Sequence, residues 1–93
     1  MSTLTTEEAR SRLANLSGWQ IEVGELVKTF QFKDFRAALD FVNRVGQAAE
    51  SAGHHPDIDI RYNRVRLALV THSAGGLTAR DFDLAAQANQ LAG

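Results

Sequence analysis

Apolar residues recur at helical spacing in three parts of the chain, each beginning at a residue suited to cap a helix. Thr5 precedes the first part and is placed to form a capping box with Glu8. Asp34 precedes the longest part and Thr78 the last, while Gly53 is placed to end the long helix. We therefore expect three helices. The apolar stripe of the long helix comprises Phe35, Ala38, Phe41, Val42, Val45, Ala48, Ala49 and Ala52.

Apolar and polar residues alternate between the helices, which predicts two β-hairpins. The first spans residues 19–32 and turns at Gly24-Glu25. The second begins after Pro56, which cannot lie inside a strand, and turns near Asn63. The apolar face of the first hairpin comprises Trp19, Ile21, Val23, Leu26, Phe30 and Phe32, and that of the second Ile58, Ile60, Tyr62, Val65, Leu67 and Leu69.

The element order α-β-β-α-β-β-α predicts an α+β fold, in which a four-stranded antiparallel sheet carries the helices on one face. The 93 residues are enough for one domain, so we expect residues 1–93 to form it alone. A core this small makes self-association a reasonable expectation, because an oligomer buries surface that a monomer exposes.

Composition excludes several classes of function. Ten basic and eleven acidic residues give a net charge of −1, so we expect no nucleic-acid partner, and Arg61, Arg64 and Arg66 are best interpreted as the wet face of a strand. The chain has no cysteine, which excludes disulfides and thiol chemistry and fits a cytoplasmic location. No apolar run predicts a membrane span, and residues 1–10 lack the apolar core of a signal peptide.

Three histidines are the candidate acid–base groups. His54 and His55 lie between the long helix and the third strand, and His72 lies where the fourth strand ends. If these strands pair antiparallel, the start of one lies beside the end of the other, which brings His72 toward the other two. Imidazole both gives and takes protons near neutral pH, so the sequence predicts an acid–base site at this end of the sheet.

Other interpretations of these side chains stay open. His54 and His55 could cap the carbonyls of the long helix. Three imidazoles could also hold zinc, but adjacent histidines on extended backbone point to opposite sides, so we expect no metal. Glu50, four residues before His54, is either an exposed carboxylate or a group that orients an imidazole. Asp81 is placed to favour the start of the last helix. Trp19 is most simply a core residue, with stacking on a flat ligand as the alternative.

Together these residues resemble the signature of the pterin-4a-carbinolamine dehydratases. Glu50 is followed by His54-His55-Pro56, and then by Tyr62, His72 and Asp81 with five, nine and eight residues between them. A second block of similarity runs through residues 71–78. The resemblance extends from about Trp19 to Gln90, and fixed gaps over this length make it specific. Many relatives carry an aromatic residue where this chain has Ile58.

The resemblance implies a fold, a reaction and a set of partners. Members have the α+β fold expected above and assemble as dimers or tetramers. They dehydrate 4a-hydroxytetrahydropterin to quinonoid dihydropterin without a metal or organic cofactor. This reaction recycles the tetrahydrobiopterin cofactor of aromatic amino acid hydroxylases. Proteins resembling the family also serve as dimerisation or assembly factors, which is the alternative function.

The resemblance also implies roles for single residues. It places the family's histidines at His54, His55 and His72, and its carboxylate at Asp81. We expect His54 and His72 to be the acid–base pair, and His55 to support them. Asp81 or Glu50 would fix the tautomers. The residues expected to bind or orient the substrate are Glu50, Pro56 and Trp19.

Overall fold

The chain folds into three helices and a four-stranded sheet in the predicted order. A computed structural model describes residues 2–93. Met1 lies outside the described residues; it belongs to the predicted domain and to residues 1–10, which lack the apolar core of a signal peptide. The elements are α1 (Thr6–Leu13), β1 (Gln20–Glu22), β2 (Glu25–Gln31), α2 (Phe35–Ala52), β3 (Asp57–Arg61), β4 (Arg64–Leu69), a 3₁₀ turn (His72–Ala74) and α3 (Ala79–Leu91).

The sheet is antiparallel throughout, with strand order β1-β2-β4-β3. Asp57 at the start of β3 pairs with Ala68 near the end of β4, and Arg61 pairs with Arg64 beside the turn. The predicted antiparallel pairing of the third and fourth strands is therefore confirmed. The segment that enters β3 and the segment that leaves β4 lie at the same end of the sheet.

The core lies between the helices and one face of the sheet. Phe41 of α2 is fully buried, and its ring centroid lies 4.7 Å from that of Phe30 and 4.9 Å from that of Phe32. Residues on the opposite face of β4, such as Arg64 and Arg66, are exposed. The predicted arrangement of helices on one face is thus confirmed. The fully buried large side chains include Leu26, Phe41, Val45, Val65, Leu67 and Leu69.

Each predicted helix cap is present. Asp34 accepts a hydrogen bond from the backbone N–H of Ala37 at 2.8 Å. The Glu8 carboxylate accepts the N–H of Thr5 at 2.8 Å, and this backbone bond lowers the pKa of Glu8. The first N–H groups of a helix have no carbonyl partner in a preceding turn. Because the caps accept hydrogen bonds from these groups, they fix where α1 and α2 begin.

Two predicted strands extend too far in sequence. Val23 is fully exposed and has φ 48°, and Tyr62 is 69% exposed with φ 52°. Both residues lie in two-residue hairpin turns, where a positive φ matches the twist of the flanking strands. Alternation alone cannot separate such a turn residue from the strand before it. Phe35 also departs from the predicted stripe, because this first residue of α2 is 47% exposed.

A polar network joins the end of α3 to the first hairpin. Asn89 accepts hydrogen bonds from the Trp19 indole N–H at 3.0 Å and from the Lys28 ammonium at 2.8 Å. Lys28 also donates to the carbonyl of Ser17 at 2.9 Å and lies 4.4 Å from the centre of the Phe30 ring. Burial lowers the pKa of Lys28. Trp19, 4% exposed, therefore has the contacts of a core residue.

The cap of α2 can be tested by mutation. Asp34→Ala removes the acceptor of the Ala37 N–H and should lower the free energy of unfolding by about 1 kcal/mol. Urea denaturation of the purified protein measures the change. Asp40→Ala, an exposed position on the same helix, is the matched control and should stay within about 0.5 kcal/mol of wild type. Equal losses in both variants would contradict the capping role.

Candidate functional site

The end of α2 fixes the direction in which His54 leaves the helix. Gly53 has a left-handed backbone, φ 65°, and its N–H bonds the carbonyl of Glu50 at 3.2 Å. The N–H of His54 then bonds the carbonyl of Ala49 at 3.1 Å, which completes a Schellman motif. Because the backbone of His54 is part of this helix end, the imidazole is directed by the fold and not by a free loop.

His54 meets Asp81, the third residue of α3. The Nε2 atom of His54 lies 2.5 Å from Oδ1 of Asp81. The carboxylate is fully buried and the histidine is 8% exposed. Oδ2 of Asp81 accepts the backbone N–H of Thr78 at 2.9 Å, which closes the capping box of α3. The helix-start role predicted for Asp81 is confirmed, and the same carboxylate also binds an imidazole.

Two buried hydroxyl groups complete the surroundings of the carboxylate. Thr71 Oγ1 lies 2.9 Å from Oδ2 of Asp81 and 2.8 Å from Oγ1 of Thr78. Thr71 is 2% exposed and Thr78 is fully buried. Within residues 2–93, every buried side-chain nitrogen or oxygen has a hydrogen-bond partner. Asp81 is thus a buried carboxylate that contacts an imidazole and accepts hydrogen bonds from a hydroxyl and a backbone amide.

Arg80 binds the carbonyls at the end of α2. Its Nη2 atom donates to the carbonyl of Ala52 at 3.1 Å and to that of Gly53 at 2.8 Å. The interpretation of the imidazoles as side-chain caps of this helix is therefore wrong, since a guanidinium from α3 takes that place. The bond from Arg80 also clamps the end of α2 to the start of α3.

His72 lies beside this cluster in sequence and at the same end of the sheet. It follows Thr71 directly and begins the 3₁₀ turn, with an exposed side chain. Thr71 itself forms a β-bridge with Gly76, which closes the loop that carries His72. The predicted approach of the segment after β4 to the segment before β3 is confirmed by the contacts of Thr71 and His54 with one carboxylate.

His55 and Glu50 form a second imidazole–carboxylate pair on the surface. His55 Nε2 lies 2.7 Å from Glu50 Oε1, and both side chains are more than half exposed. Glu50 thus contacts His55 and not His54, its neighbour at helical spacing. Pro56 is half-buried and links this pair to β3. The site therefore combines one buried pair and one exposed pair.

The structure does not bring every predicted residue together. The indole of Trp19 bonds Asn89 near the far end of α3, and none of its described contacts supports a role in binding a ligand at the histidines. Conversely, Thr71, Thr78 and Arg80 contact the site but were not among the predicted site residues. Thr78 was predicted only as the cap of α3, whereas the sequence signal for Thr71 and Arg80 is their position in one short block with His72 and Asp81.

Two of the described cavities differ in their position: one borders His54, and a larger one lies away from the histidines. A shallow cavity of about 170 Å³ borders His54, between the end of α2 and the first turns of α3. A larger one of about 570 Å³ lies between α1, the first hairpin and Gly75-Gly76, and contains no titratable side chain suited to acid–base work. Chemistry therefore favours the smaller cavity and the exposed surface at His72.

Residues 2–93 contain no candidate metal-binding cluster and no candidate membrane-spanning helix. No three side chains of His, Asp or Glu are grouped so that they could hold a metal ion. None of the helices in this part of the chain has the length and apolar character needed to cross a membrane.

Sequence comparison gives matches over nearly the whole chain. Residues 2–91 match the family model described as pterin 4 alpha carbinolamine dehydratase. A protein of Acidobacterium capsulatum, provisionally named as such a dehydratase, is 58% identical over 91 residues, which cover 98% of this chain and 99% of the relative. A protein of Chloroflexus aurantiacus with the same provisional name is 54% identical over 93 residues, the full length of both.

Solved structures have the same fold. The crystal structure of a transcriptional coactivator/pterin dehydratase from Brucella melitensis superposes with a TM-score of 0.96 at 37% identity, covering 99% of this chain and 100% of that one. A pterin dehydratase-like protein identified as a RuBisCO assembly factor in the alpha-carboxysome has a TM-score of 0.71 at 24% identity, covering 82% and 90% of the two chains. The second likeness shows the fold alone.

The left-handed residue at the end of α2 generates a prediction about stability. Gly53→Ala forces a side chain into φ 65° and should lower the free energy of unfolding by about 1 kcal/mol. Gly53→Asn should lower it less, because asparagine tolerates this backbone better. Thermal and urea denaturation measure both variants. A Gly53→Asn protein less stable than Gly53→Ala would contradict the assignment of the loss to backbone strain.

Proposed function

The chain belongs to the pterin 4 alpha carbinolamine dehydratase family, and from this premise we propose that it converts 4a-hydroxytetrahydropterin to quinonoid dihydropterin and water. The observation that carries the proposal is the buried contact between His54 and Asp81 at the sheet end where His72 also lies. A buried carboxylate on an imidazole is an arrangement that orients a proton-transfer group.

The reaction needs a proton donor and a proton acceptor. The hydroxyl on C4a leaves as water once it receives a proton, and the C4a–O bonding pair goes to oxygen. The N5 lone pair then forms a double bond to C4a, and a base removes a proton from a ring nitrogen. Two imidazoles in opposite protonation states supply both steps near neutral pH. His54 and His72 take these roles, in an order that the proposal leaves open.

Asp81 gives His54 a defined tautomer. An ionised carboxylate only accepts hydrogen bonds, so Nε2 of His54, 2.5 Å away, carries a hydrogen. The other ring nitrogen, Nδ1, is then the atom that exchanges a proton with substrate. The exposed pair of His55 and Glu50 lies next in sequence, where it would bind the polar edge of the pterin. Pro56 would hold His55 in place, while Trp19 takes no part in this proposal.

The proposed setting follows from the reaction. Because the reaction recycles the tetrahydropterin cofactor of aromatic amino acid hydroxylases in the family that the chain resembles, the enzyme would act beside such a hydroxylase in the cytoplasm. We propose that it does so as a homo-oligomer. The alternative is a non-catalytic dimerisation or assembly module with the same fold. Faster formation of quinonoid dihydropterin, when the purified chain is added to a hydroxylase reaction, distinguishes the two, because a binding module would leave the rate unchanged.

The acid–base pair is tested by removing each imidazole. His54→Ala and His72→Ala should each lower kcat by about 10²–10⁴-fold, because each removes one proton-transfer group. His55→Ala should mainly raise KM if that side chain binds the substrate. Absorbance of quinonoid dihydropterin follows the reaction, and circular dichroism checks the fold. Wild-type kcat in folded His54→Ala or His72→Ala protein would refute the assignment.

The carboxylate is tested by a nearly isosteric change. Asp81→Asn replaces an acceptor by an amide that can donate to Nε2 of His54, which shifts the ring hydrogen to Nδ1. We expect kcat to fall by about 10²-fold or more, since a wrong tautomer is costly in an analogous histidine–aspartate pair. Asp40→Asn, at an exposed position on α2 that lines none of the described cavities, is the control and should keep wild-type kcat. Equal kcat in the two folded variants would exclude a role for Asp81.

A further inference from the structure

We propose that Thr71 is a positioning residue that holds His54 and His72 in one arrangement, through its hydroxyl on one side and its backbone on the other. Its catalytic consequence rests on the proposed function, whereas its structural basis does not. Thr71 lies two residues after the end of β4 and is 2% exposed, so it is shielded from the solvent that reaches His72.

The hydroxyl of Thr71 has only one orientation that satisfies its neighbours. The Thr71 O–H donates to Oδ2 of the Asp81 carboxylate at 2.9 Å, where the carboxylate oxygen is the acceptor. Its oxygen is then the acceptor for the O–H of Thr78 at 2.8 Å. The oxygen of Thr78 in turn accepts the backbone N–H of Arg80 at 3.3 Å. Every donor in this series of hydrogen bonds therefore points toward Asp81. Neither threonine oxygen competes with the carboxylate as an acceptor for the hydrogen on His54.

The backbone of Thr71 organises the loop that carries His72. Its carbonyl accepts the N–H groups of Ala74 and Gly75, both at 3.0 Å, and its own N–H donates to the carbonyl of Gly76 at 3.2 Å. These bonds close a tight turn around His72, the residue that follows Thr71 in the chain. The position of the His72 backbone is thus tied to the residue whose side chain holds Asp81.

Loss of the Thr71 hydroxyl alone would disturb Asp81 and Thr78, the two groups that it contacts. Asp81 Oδ2 would keep only the Thr78 N–H, and the Thr78 hydroxyl would lose its acceptor in a place without solvent. The carboxylate would then be free to turn relative to Nε2 of His54, or the Thr78 O–H would swing to replace the missing bond. In either case the imidazole no longer has a single fixed partner geometry, while the hydrophobic core stays intact.

The experiment compares Thr71→Val, which keeps the shape but removes the hydroxyl, with Thr71→Ser, which keeps the hydroxyl. Imidazole ¹⁵N NMR at a pH where the rings are neutral reads which nitrogen of His54 carries the hydrogen, and three histidines make the spectrum assignable. We expect the Nε2–H tautomer in wild type and Thr71→Ser, and a changed tautomer ratio in Thr71→Val. We also expect kcat to fall about 10-fold or more in Thr71→Val with KM changed less, as when outer partners of metal-bound histidines are removed.

Controls separate this inference from the proposed function. Thr29→Val, at an exposed position in β2, should match wild type in both measurements. If the chain dehydrates no pterin, the proposed function fails, and the NMR comparison still decides the role of Thr71. Unchanged His54 signals in folded Thr71→Val protein would overturn the inference, whatever the activity. If Thr71→Val does not fold, Thr71→Cys, with a weaker donor of similar size, provides the same comparison.

Discussion

The arrangement of the sheet end where His54 and His72 lie depends on one buried carboxylate. Asp81 completes the capping box of α3, contacts the imidazole that follows α2, and receives the hydroxyl of Thr71, two residues after β4. A buried charge is stable only when its hydrogen bonds are complete, so each of these three segments must be in place for the others to be. In the proposed function, the carboxylate therefore serves both the fold and the proton transfer. The groups that satisfy it are the groups that position the imidazole.

The other contacts at this end reinforce the same junction. Arg80 clamps the carbonyls of Ala52 and Gly53, so the end of α2 and the start of α3 cannot separate without losing two further hydrogen bonds. The exposed pair of His55 and Glu50 lies outside this network and is open to solvent. One imidazole is thus held rigidly and its neighbour is free to adapt. Such a division suits a site that must fix a proton-transfer atom and also admit a ligand.

The sequence was sufficient to predict the elements, the sheet and the end of the sheet where the histidines lie. Periodicity and caps located Asp34 and Gly53, because these signals depend on neighbours in the chain. The sequence was not sufficient to place Val23 and Tyr62, because they continue the alternation of a strand but lie in hairpin turns. Nor could it assign Thr71, whose role depends on a carboxylate ten residues away in sequence and 2.9 Å away in the fold.

The buried position of Trp19 has a practical consequence. It is the single tryptophan of the chain and lies against Phe30 in the core, with its indole N–H bonded to Asn89. Its fluorescence would change when the core opens and the indole meets water, whereas events at the histidines occur around a different part of α3. The protein thus carries its own optical probe of unfolding. Loss of structure and loss of chemistry can be recorded separately on the same unlabelled sample.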